Sequence, residues 1–70
     1  MRYRMSESDE ASLLKILQDS LLPGQGGIKT RAFLAFNREN PLVSLENLEQ
    51  LKMKGLLDIH EDTIYPLDVL

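Results

Sequence analysis

Apolar residues recur at helical spacing in three successive stretches of the chain and then alternate in a fourth. In the first, Leu13, Leu14, Ile16, Leu17 and Leu21 fall within one stripe at about 100° per residue, with Ser12, Lys15 and Asp19 opposite. The spacing predicts a core-facing helix. Ser6 or Ser8 serves as its N-cap, and Glu7, Asp9 and Glu10 complement the positive end of its dipole. Leu21-Leu22-Pro23-Gly24 stops it, because the residue before a proline is pushed out of the helical region and glycine suits the turn that follows. The stretch from Gly24 to Thr30 lacks both the glycine-lysine step and the preceding strand of a phosphate-binding loop, so its glycines read as a flexible connection.

A second helix is expected from Ile28 to Glu39, with Ile28, Ala32, Phe33, Ala35 and Phe36 on its core side and Asn40-Pro41 as its stop. On the opposite side, Arg31, Leu34 and Arg38 share a face by their spacing. That face is either solvated, with one stray leucine, or a contact patch for phosphates or an acidic partner. The third helix has Ser44 as N-cap, Val43 and Leu48 in the positions of a hydrophobic staple, and Gly55 beyond Lys52 and Lys54 at its end. Leu45, Leu48, Leu51 and Leu56 project inward, leaving Glu46, Asn47, Gln50 and Lys54 outside. After Gly55 the period changes to two, with Leu57 and Ile59, a polar turn at Glu61-Asp62-Thr63, then Ile64, Tyr65, Leu67 and Val69. Pro66 belongs on an edge or at a strand end. The pattern predicts a mainly α fold of three helices with a small C-terminal β-hairpin, one domain in which residues 1–5 form a flexible arm.

A chain of 70 residues makes one domain; at this size folding buries only about 60% of the unfolded surface, so a partner or a second copy adds stability. The absence of cysteine removes disulfides and thiolate zinc sites and fits a cytoplasmic protein. Met1 to Met5 runs into an acidic segment where a signal peptide needs an apolar core, and no apolar run reaches the roughly 18 residues of a membrane helix. The net charge of -3 argues against nucleic acid, but it is unevenly spread. Residues 28–56 carry Lys29, Arg31, Arg38, Lys52 and Lys54 against Glu39, Glu46 and Glu49, while both flanks are acidic. Asp58, His60 and Asp62 place three ligand types on one strand face, yet exposed carboxylates beside a histidine read as solvated, so no metal and no cofactor is expected. With no cysteine nucleophile and no serine evident beside the lone His60, an enzyme is not expected.

Over residues 6–68 the order helix, helix, helix, hairpin, with Leu48-x-x-Leu51-x-x-x-Gly55-Leu56-Leu57 and then Tyr65-Pro66-Leu67, resembles the winged-helix (winged helix-turn-helix) family. The resemblance implies a small transcription regulator that binds double-stranded DNA as a homodimer. Helix three would lie in the major groove, with Ser44, Asn47, Gln50 and Lys54 facing bases and Lys29, Arg31 and Arg38 near phosphates. The family also includes domains recruited for protein binding. The acidic first helix and the acidic wing at Asp58, Glu61 and Asp62 fit that use, as an interaction module that regulates or inhibits a larger protein machine. Its contact patch would be Arg31, Leu34 and Arg38.

Overall fold

A computed structural model describes residues 5–67. They form α1 (Glu7–Ser20), β1 (Ile28–Lys29), α2 (Thr30–Phe36), α3 (Leu45–Met53), β2 (Leu57–His60) and β3 (Thr63–Pro66). The three helices and the C-terminal hairpin are present, but the hairpin is not isolated. β1 joins it to make one antiparallel sheet in the order β1-β3-β2, so the fold is mixed α and β. Ile28 pairs with Ile64 and Lys29 with Thr63, where sequence periodicity had placed the start of a helix.

Glycine is what lets β1 approach. A Cβ on Gly27 would lie 2.8 Å from the Ile64 carbonyl oxygen and 2.8 Å from Tyr65 Cδ1, so Gly27 is a packing residue and not a flexible link. The Thr30 N–H then donates to the Asp62 carbonyl at 2.8 Å, which fastens the start of α2 to the hairpin turn. In that turn Glu61 and Asp62 both have positive φ, at 50° and 60°, the signature of a two-residue loop whose twist matches the strands it joins.

Serine caps open both longer helices. Ser6 Oγ accepts from the Asp9 N–H at 3.1 Å, and Ser44 Oγ from the Asn47 N–H at 3.2 Å. α3 ends in a Schellman arrangement, with the Gly55 N–H donating to Lys52 O and the Leu56 N–H to Leu51 O, each at 3.0 Å. Gly55 takes the left-handed position at φ 79°. Between α2 and α3, Asn40 Oδ1 accepts from the Leu42 N–H at 3.0 Å, and its carbonyl accepts from the Val43 N–H, also at 3.0 Å. This local turn replaces the last part of the expected second helix.

The core comprises Met5, Leu13, Leu17, Phe33, Val43, Leu48, Leu51, Leu57 and Ile64. Met5 therefore leaves the predicted arm: it is buried, and its N–H donates to Gln50 Oε1 at 3.4 Å. Arg2, Tyr3 and Arg4 of that arm, and Asp68 and Val69 at the other end, lie outside the described residues. α2 also packs in a different rotation from the one expected. Its inner side is Thr30 and Phe33 with half-buried Leu34 and Asn37, which leaves Phe36 81% exposed. Among the described residues no helix is long and apolar enough to cross a membrane.

Candidate functional site

The four residues expected to face bases are all engaged in holding the domain together. Ser44 is the cap just described. Asn47 is only 6% exposed, and its Nδ2 donates to the Leu42 carbonyl at 2.9 Å. Gln50 is half-buried and accepts from Met5. Lys54 Nζ pairs with Glu10 at 2.5 Å, where it faces a carboxylate that is only 10% exposed. An unpaired charge at such a position is costly, so the ion pair ties α1 to the end of α3.

The outer face of α3 is instead Leu45, Glu46, Glu49, Lys52 and Met53. Leu45, expected inside, is 49% exposed, and Met53 is 88% exposed. The helix keeps Leu48 and Leu51 inside as projected but is rotated enough to bring Asn47 in and Leu45 out. The cause is the Asn47 amide, which reaches the Leu42 carbonyl and so must point inward, carrying Leu45 out at the first helical position.

The cationic residues expected near phosphates do lie at the surface. Lys29 is exposed on β1, and by register it shares the outer side of the sheet with Thr63 and His60. Arg31 is 91% exposed with its guanidinium 4.0 Å from Asp62. Arg38, also exposed, falls in the turn beyond α2, so its spacing from Arg31 no longer places the two on one helix face. Leu34 packs half-buried against the core, which corrects the patch of Arg31, Leu34 and Arg38: its leucine does not stand free between the two arginines. The large apolar residue that α2 does expose is Phe36.

The β2–β3 hairpin is acidic at its tip. Asp58 and His60 project outward from β2, opposite Tyr65 and Thr63, and His60 Nε2 lies 3.8 Å from the Glu61 carboxylate. Among the described residues no three His, Cys, Asp or Glu side chains converge on one point. An open cavity of about 500 Å³ lies beside the N-terminal end of α3, lined by Asp9, Pro41, Leu42, Ser44, Glu46 and Asn47. Two carboxylates and no cation line it, which makes this end of α3 an acidic surface.

Sequence reasoning missed β1, the packing role of Gly27 and the true outward side of α3. For β1 a signal was available, since β-branched Ile28 and Thr30 flank Lys29 directly after two glycines. Neither a protein-family model, nor a curated protein, nor a solved structure matches this chain.

Proposed function

We propose that this chain is a winged-helix-type domain that works as a protein-interaction module through the outer face of α3, in place of the DNA-binding regulator that the resemblance implies first. Support for the winged-helix class comes from the order of three helices followed by a hairpin, with the Schellman turn at Gly55 joining α3 to β2. Support for protein binding comes from one observation above all, the composition of the α3 face. Leu45 and Met53 stand exposed there beside Glu46 and Glu49, with Lys52 as its cation.

A helix that reads a major groove needs donors and acceptors for base edges and must tolerate the phosphates on either side. Two carboxylates repel those phosphates, and two apolar side chains read no base edge beyond a methyl group. Large apolar side chains rimmed by charge are instead the mark of a protein contact, in which methionine is enriched. The wing tip agrees, because Glu61 and Asp62 occupy the place where a DNA-gripping wing carries cations.

Titration with random duplex DNA at low salt tests the reading, together with a photo-crosslinking side chain in place of Met53. The expected result is no DNA binding and protein adducts at position 53 in cells. Salt-sensitive DNA binding that Arg31→Ala with Arg38→Ala weakens would overturn it in favour of the regulator.

A further inference from the structure

We infer that the partner of the α3 face is a second copy of this chain, docked by an antiparallel pairing of α3 with α3 about a two-fold axis at Glu49. The inference rests on the interaction reading above and names its partner. α3 has 9 residues, Leu45–Met53, and Glu49 is its midpoint. About a two-fold axis, each residue of one helix meets the residue equally far from the midpoint on the other. Three positions on either side of Glu49 stand Glu46 and Lys52, and four positions on either side stand Leu45 and Met53. Those are the spacings that return to one face of a helix.

The pairing sets Leu45 against the partner's Met53 and Glu46 against the partner's Lys52, and the symmetry makes each contact twice. Every one of these side chains is exposed in the single chain. Lys52 Nζ lies 3.4 Å from the Ile59 carbonyl, a bond that uses one of the ammonium's three protons and leaves the others for a carboxylate. Glu49 alone meets its own image, a like-charge contact that limits affinity. Other occupants fit the charges less well. A uniformly acidic segment meets two glutamates and a uniformly basic one meets Lys52, whereas a second copy sets opposite signs together at both positions three residues from the axis. A helix of this length spans about 14 Å, so the patch falls in the class of weak interfaces that bury less than about 1,200 Å² in total. Its dissociation constant belongs between about 10 μM and 1 mM.

Sedimentation velocity on the whole chain from about 1 μM to 1 mM reads this directly. The weight-average mass should climb from that of the 8.0 kDa chain toward twice that value. Glu46→Lys puts lysine against lysine at both contacts, and Lys52→Glu puts glutamate against glutamate. Each variant alone should associate about tenfold more weakly or worse, and an equimolar mixture of the two should recover the parent's affinity because every contact is again lysine against glutamate. Recovery in the mixture also shows that both variants fold. Glu49→Gln should tighten the pair several-fold. A parent that stays monomeric throughout, or two variants that do not recover on mixing, overturns the pairing. If the parent is monomeric while the probe at position 53 captures a different protein, self-pairing fails and the interaction reading stands. A monomer that binds DNA with a steep salt dependence removes both.

Discussion

The turn between β2 and β3 holds two side chains in a backbone region that suits neither equally. Glu61 sits at φ 50° and Asp62 at φ 60°, where an L-residue bearing a Cβ pays roughly 1–2 kcal/mol, less for aspartate because its short side chain bonds locally. The double substitution Glu61→Asn with Asp62→Gly installs the pair that a two-residue loop of this hand prefers. Relief at the two positions, reduced by the added glycine's loss of about 0.5–1 kcal/mol in chain entropy, leaves a net gain of about 1 kcal/mol. Little is lost with the side chains. The Arg31 contact to Asp62, at 4.0 Å between groups 91% and 54% exposed, and the contact of His60 with Glu61 at 3.8 Å are exposed pairs whose net contribution is near zero. The main-chain bond from Thr30 to the Asp62 carbonyl does not involve either side chain. For a chain of this size the gain corresponds to a rise in Tm of about 4–8 °C. Urea unfolding followed by far-ultraviolet circular dichroism should show a higher midpoint with an unchanged slope. The control Glu61→Val, a β-branched residue at positive φ, should lower the midpoint. A double variant that unfolds at or below the parent's midpoint refutes the argument that this turn stores strain.

Other substitutions follow from the same packing. Gly27→Ala forces a methyl group to within 2.8 Å of the Ile64 carbonyl oxygen, and should lower stability by about 1–3 kcal/mol in the same urea assay. Asn47→Ala removes the amide that serves the Leu42 carbonyl and should cost about 1–3 kcal/mol; a melt equal to the parent's would mean the amide does not set the rotation of α3. Lys54→Met strands the nearly buried Glu10 carboxylate and should cost about 1–2 kcal/mol, since the lysine itself is 52% exposed. Adding Glu10→Gln should recover most of that loss, and a double-mutant cycle with no coupling would show the pair to be incidental.

Local signals in the chain were legible where they depend on neighbours in sequence. The serine caps of α1 and α3, the stop before Pro23, the glycine turn at Gly55 and the alternation through Leu57, Ile59 and Ile64 all act within a few residues, and each stands where the spacing predicted. The rotations of α2 and α3 were not legible, because they are settled by contacts outside the helix. In α3, Leu45, Leu48 and Leu51 form an apolar row that periodicity reads as the inner face, but the Leu42 carbonyl draws Asn47 inward and Leu45 is left at the rim. In α2, counting Phe36 and Ala35 as core residues put the inner face on the wrong side, since Thr30 and Asn37 lie inward with Phe33. β1 has two residues, too few to show any period, and its partners are supplied by the far end of the chain. The candidate surface inherited these rotations: Asn47, expected on the outer face, lies inward, and the exposed apolar residues Leu45, Met53 and Phe36 were assigned to the core or passed over.

The two halves of the sheet differ in how far apart their partners lie along the chain. β2 and β3 pair residue by residue across a short turn, from His60 with Thr63 to Leu57 with Pro66, so this hairpin closes locally. β1 contributes only the pairs of Ile28 with Ile64 and Lys29 with Thr63, and must first close a long loop that contains α2 and α3. Few bonds and a large closure entropy make the junction of β1 with β3 the seam of the domain, the last contact to form and the first to part. When it parts, α2, which packs on β1, is released from the sheet, while α1 stays against β3 and α3 remains joined through Gly55 to the hairpin. Amide exchange at Thr30 reports on that seam, whereas exchange within the hairpin reports on unfolding of the whole chain.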